Sequence, residues 1–157
     1  MNLFSIWIDA DSCPELVRNA VLKVGKRLNI NIYFVANRHI PVKKNNLDKF
    51  KMIITPNIES SADDYIVENA KSPDIVITRD IPLANKLVEK NITVINDRGQ
   101  EFTKENIKEK LSIRNFNFEM AQYGLYAEKK STFNSKDLNN FCNCLDRILQ
   151  KKNKINF

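Results

Sequence analysis

The chain has 157 residues, 43% of them apolar, with 25 Lys plus Arg against 19 Asp plus Glu, a formal net charge of +6. That length suits one domain with its own core, expected over residues 1–150, with a basic C-terminal tail at 151–157. No apolar run approaches the ~20 residues of a membrane span and the N-terminal segment has no basic n-region, so a cytoplasmic chain with no membrane partner is expected. The basic excess is compatible with a polyanionic partner without requiring one.

An apolar run at residues 4–8 leads into Asp9 and Asp11 and then a Ser-Cys-Pro turn. A helix is predicted over 14–28, its apolar face formed by Leu16, Val17, Ala20, Val21 and Val24. Further strand-like runs fall at 30–36, 52–55, 75–78 and 92–95. They are rich in Ile and Val and nearly continuous, as suits parallel strands covered on both faces. Helices are predicted over 61–70 and 82–90, and only a short helical turn at 46–50 within the polar connection 37–51. Asn96-Asp97-Arg98-Gly99 is a turn signal. Thr103 is expected to cap a helix running through Ile107 and Leu111 toward Phe118, and residues 121–134 form a polar connection. A last helix after Ser135 carries Leu138, Phe141, Cys142, Leu145, Ile148 and Leu149 on one face. The pattern predicts a three-layer α/β domain, a mostly parallel five-stranded sheet flanked by helices.

In such sheets ligands bind beyond the carboxyl ends of the strands. Asp9 and Asp11 close the first predicted strand, Asp80 the fourth and Asp97 the fifth, while Asp63 and Asp64 open the helix after the third. Carboxylates gathered on one rim suit a hard cation, Mg²⁺ or Mn²⁺, better than zinc or copper. Helix capping is the competing explanation: Asp80 precedes Ile81-Pro82, Asp11 precedes Pro14, and Ser61-Ala62-Asp63-Asp64 has the form of a capping box. Asp9 has no evident helix to cap. Cys13 beside the cluster is either an activated thiolate or a small buried filler. The three cysteines, Cys13, Cys142 and Cys144, contain no CxxC pair, so neither a disulfide framework nor a zinc knuckle is indicated. His39, the single histidine, is expected at the surface of a basic loop.

The stretches IWIDADSCP, VAN at 35–37, SADDYIVE at 61–68, IVITRDIPLA at 75–84, NDRG at 96–99 and KENIKEKL at 104–111 resemble the YaiI/YqxD family of small bacterial proteins, in order and over nearly the whole chain. That family is grouped by fold with PIN-like domains, whose better-known members are Mg²⁺- or Mn²⁺-dependent ribonucleases. The resemblance implies that Asp9 and Asp80 match the acids after the first and fourth strands of such nucleases. Asp11 and Asp63 match acids of the family motifs. Where the family carries a Thr-Gly-Gly-Pro-type loop before a Phe, this chain reads YAEKKST at 126–132.

The leading expectation is therefore a metal-dependent nuclease acting on RNA. Asp9, Asp11, Asp63 and Asp80 hold Mg²⁺ or Mn²⁺ and carry catalysis, and Arg38, Lys43, Lys44 and Arg79 attract the nucleic-acid backbone. One alternative is a phosphatase of the haloacid-dehalogenase type, with Asp9 as nucleophile and Asp11 as acid/base. Its Lys and Gly-Asp-x-x-x-Asp elements have no counterpart in TRDIPLA. The other alternative is a non-catalytic RNA-binding or regulatory module.

Overall fold

A computed structural model describes residues 3–42, 49–126 and 132–155. It is a three-layer α/β domain whose six-stranded sheet has the order β3-β2-β1-β4-β5-β6. The strands are β1 (Ser5–Asp9), β2 (Asn31–Ala36), β3 (Phe50–Ile54), β4 (Ile75–Ile77), β5 (Thr93–Ile95) and β6 (Glu101–Phe102). All neighbours are parallel except β5 and β6. The helices are α1 (Glu15–Leu28), α2 (Ser61–Asn69), α3 (Ile81–Glu89), α4 (Ile107–Gln122) and α5 (Ser135–Ile155).

Two cores explain the near-continuous apolar strands. Successive side chains point to opposite faces of a sheet. Ile6 and Ile8 of β1 therefore join Val17 and Val21 of α1 and Phe141 and Leu145 of α5 in one core. Trp7 joins Ile66 of α2, Leu83 and Leu87 of α3 and Ile107 of α4 in the other. With both faces covered, the central strands β1 and β4 have almost no position at which a polar side chain reaches water.

The strand order places the site. The chain runs outward through β1, β2 and β3, then crosses to β4 on the far side of β1 and continues to β5. The order thus reverses between β1 and β4, and the crevice above such a switch point is open because the helices on either side diverge.

The sheet has one strand more than expected. β6 is two residues long and pairs antiparallel with β5, with Val94 opposite Phe102 and Ile95 opposite Glu101. A single apolar residue carries no periodicity, so nothing in the sequence announces it. Phe50, expected in a helical turn, instead begins β3, an edge strand that is only half-buried; residues 46–48 lie outside the described residues. Helix α4 runs on to Gln122, into the predicted connection. Helix α5 extends to Ile155, into the predicted tail, where Lys152 Nζ donates to the Pro73 carbonyl (2.8 Å).

Candidate functional site

Strand β1 ends on Asp9 and β4 ends on Ile77, side by side at the switch point. Asp9 is only 6% exposed. Thr78, fully buried just beyond β4, donates its hydroxyl to Asp9 Oδ2 (2.9 Å) and accepts the Asp80 N–H (3.0 Å). One hydroxyl thereby fixes both aspartates. Asp80 in turn caps α3, its Oδ1 accepting the Leu83 N–H (2.9 Å), with Pro82 in the first turn.

Asp63 reaches the same cleft from the first turn of α2, close enough to Asp80 that a proton on either carboxyl would be shared between them. Burial first, then the charges of Asp80, Asp9 and Asp64 push its carboxyl up to about 7. Burial also raises Asp9, opposed by the hydrogen bonds from Thr78 and Ser12 and assisted by the nearby Asp80 and Asp11 charges. Asp11 stands on the solvent side, paired with Arg38 Nε (3.0 Å) and accepting the Asn37 N–H (3.4 Å). The four acids and Arg79 line a cleft of about 410 Å³, closed by Ser12, Asn37 and residues 60–62.

The structure brings Asp9, Asp11, Asp63, Asp80 and Arg79 together, with Arg38 attached through Asp11. Lys43 and Lys44 lie outside the described residues. Asp97 belongs to a different arrangement: at 1% side-chain exposure it grips Arg79, Oδ2 to Nη2 at 2.5 Å and Oδ1 to Nε at 3.5 Å. That pairing holds the guanidinium charged and against the cleft wall. Cys13 is buried against the Ile77 carbonyl, and burial followed by the Asp9 and Asp97 charges drives its thiol strongly toward the protonated form, so it is filler rather than thiolate. His39 is exposed, as expected.

The capping explanation survives for one residue of three. Asp80 is a cap. Helix α1 has Pro14 at its N-cap with no side-chain bond, so Asp11 caps nothing. Helix α2 is likewise uncapped by a side chain: its N-cap is Ser60, left-handed at φ 66° with no side-chain cap bond, while Ser61 already lies in the helix with its hydroxyl on the Pro56 carbonyl (2.5 Å) and Thr55 Oγ1 (2.7 Å). Sequence reasoning missed Thr78 and Ser12. Thr78 left a signal, a polar residue at the end of an Ile-Val run directly before Arg-Asp; Ser12, whose Oγ accepts the Arg79 N–H (3.3 Å), left none. Among the described residues no three His, Cys, Asp or Glu side chains stand close enough to hold a metal ion unaided.

The family model described as "Uncharacterized BCR, YaiI/YqxD family" matches residues 7–151. The chain belongs to the YaiI/YqxD family. A UPF0178 protein of Treponema denticola is 49% identical over 146 residues, covering 93% of this chain and 92% of the relative. A UPF0178 protein of Psychromonas ingrahamii is 43% identical over 150 residues, covering 96% and 98%. One from Treponema pallidum is 43% identical over 147 residues, covering 94% and 82%. No solved structure gives a significant match. The two motifs that carry the YaiI/YqxD resemblance most specifically, DADSCP and TRDIPLA, flank the acidic cleft from β1 and β4.

Proposed function

We propose that this YaiI/YqxD chain is a PIN-like, divalent-metal-dependent phosphodiesterase acting on RNA. The observation that carries the proposal is the convergence of the buried Asp9 with the half-buried Asp63 and Asp80 at the switch point, where burial first and then like charge raise the Asp63 carboxyl to about 7. Three carboxylates crowded into a half-buried crevice are costly unless a proton or a cation shares them.

The donor set fits Mg²⁺ or Mn²⁺, since it is all oxygen. The lack of a three-residue cage among the described residues is compatible with that choice. Mg²⁺ dehydrates reluctantly and is commonly held by one or two carboxylates, with its remaining positions filled by water and substrate phosphate. Asp63 and Asp80 are the residues that would hold it, with Asp9 behind them and Asp11 at the mouth. Bound there, the ion offsets phosphate charge and lowers the pKa of water. The chain's own part is to orient and exclude. Thr78 fixes Asp9 and the loop entering α3, Asp80 stays rigid through its cap, and Asp97 holds Arg79 where a phosphate enters. Among the described residues the cation lining the cleft is Arg79 rather than a lysine.

The test is cleavage of a single-stranded RNA in Mn²⁺ together with thermal unfolding. Asp9→Asn and Asp80→Asn are expected to reduce cleavage by orders of magnitude with the folded fraction unchanged, while exposed Asp64→Asn retains it. Millimolar Mn²⁺ is expected to raise the Tm of the wild type and not of Asp9→Asn. Full activity in Asp9→Asn overturns the assignment. Turnover of a phosphomonoester alone selects the phosphatase, and metal-independent RNA binding without cleavage selects the non-catalytic module.

A further inference from the structure

Arg79 is a wall between two clefts. On its far side, between β6, the 110–118 stretch of α4 and Tyr126, lies a second cleft of about 560 Å³, within the ~300–1,000 Å³ span of ligand sites. Its character is the reverse of the first. Phe102, Phe118 and Tyr126 line it together with Lys110 and Arg114, and no acid does among the described residues. The Arg114 guanidinium stands 5.9 Å from the Phe118 ring centroid and Lys110 Nζ stands 6.0 Å from that of Phe102. Neither cation is in an ion pair with a described residue. Phe118 is 63% and Tyr126 80% exposed, and after Ile107 no residue of α4 is buried.

Exposed aromatic rings beside cations that no described carboxylate neutralises complement a ligand that is planar and anionic at once. We propose that this second cleft binds single-stranded nucleic acid, its bases stacking on Phe118 and Tyr126 and its phosphates meeting Lys110 and Arg114. A strand seated there leads past Arg79 into the acidic cleft. The site names the substrate form for the reading above and rests on its nucleic-acid part, but binding at this cleft requires no divalent ion.

The experiment is fluorescence anisotropy of the full chain with a labelled oligouridylate of about a dozen nucleotides in EDTA, beside the same oligonucleotide with abasic positions. Stacking predicts that the intact strand binds about tenfold more tightly than the abasic one, and that Phe118→Ala with Tyr126→Ala removes that difference. Both side chains are exposed, so the fold is expected to hold, and circular dichroism checks it. Lys110→Ala with Arg114→Ala is expected to flatten the slope of log affinity against log salt by about 1.4, near 0.7 for each phosphate contact on a single strand. Equal affinity for intact and abasic strands, or no effect of the aromatic variants, overturns the proposal. So does a dimer in sedimentation that Phe118→Ala dissociates without changing oligonucleotide affinity. Loss of binding in these variants with no cleavage by the wild type in Mn²⁺ sustains this site and sinks the nuclease. Cleavage whose KM ignores Phe118→Ala and Tyr126→Ala does the opposite.

Discussion

Asp80 performs two tasks with different requirements. As an N-cap it needs an oxygen acceptor for the Leu83 N–H, which Asn supplies as well as Asp; as a cation ligand it needs charge, which Asn lacks. Asp80→Asn is therefore expected to cost no more than a few tenths of a kcal/mol in a urea titration, and Asp80→Ala about 1 kcal/mol, while both lose Mn²⁺-dependent cleavage. Equal stability of the two variants would show that the cap contributes nothing. Asp97 shows why residue type alone misleads. It sits at a strand end like Asp9, yet its carboxylate is consumed by Arg79, and only the observed pairing separates a ligand candidate from a positioning partner.

Element packing concentrates strain and shape at the 96–99 turn. Asn96 Oδ1 accepts the N–H groups of Arg98 and Gln100, both at 2.9 Å, which bends the chain from β5 back into β6. Gly99 completes the turn at φ +81°, and a Cβ there would run into the Asn140 backbone of α5. Backbone cannot rotate aside as a side chain can. Gly99→Ala is accordingly expected to cost ~2–4 kcal/mol from left-handed strain and overpacking together, lowering Tm by roughly 5–15 °C in a chain of this size. A smaller loss would mean that α5 is not pressed against the turn. The NDRG turn was legible from its composition, as were the helices after Thr103 and Ser135 from their apolar spacing, whereas β6 was not, because two residues have no period to read.

At the scale of the whole molecule, the acidic cleft makes stability depend on pH with a definite sign. Asp63 has a folded pKa of about 7 against 3.8 for the ordinary side chain, so the folded state binds the proton more tightly. Its contribution is fully present below about pH 4, declines as pH rises through the window between the two values, and is lost above about 7. Asp9, raised in the same direction by burial, adds to the trend. The Tm difference between wild type and Asp63→Asn is expected to move against the wild type from pH 4 to pH 8. Mn²⁺ competes with that proton, so the Tm rise it produces should grow across the same window. A pH-independent difference between the two proteins would remove the electrostatic basis of the site.

By itself the sequence determined the alternation of buried strands and amphipathic helices, the α/β class, and the placement of Asp9, Asp11, Asp63 and Asp80 toward one end of the sheet. These follow from periodicity and connectivity, which are local properties of the chain. What the tertiary structure decided is which carboxylate answers to which partner. Thr78 reaches Asp9 across 69 positions of sequence, Asp63 meets Asp80, and Arg79 turns to Asp97 rather than standing free. Each choice depends on burial and on distances of a few ångströms across the β1–β4 crevice. Coulomb and hydrogen-bond energies change steeply over that range, and no local pattern in the chain records it.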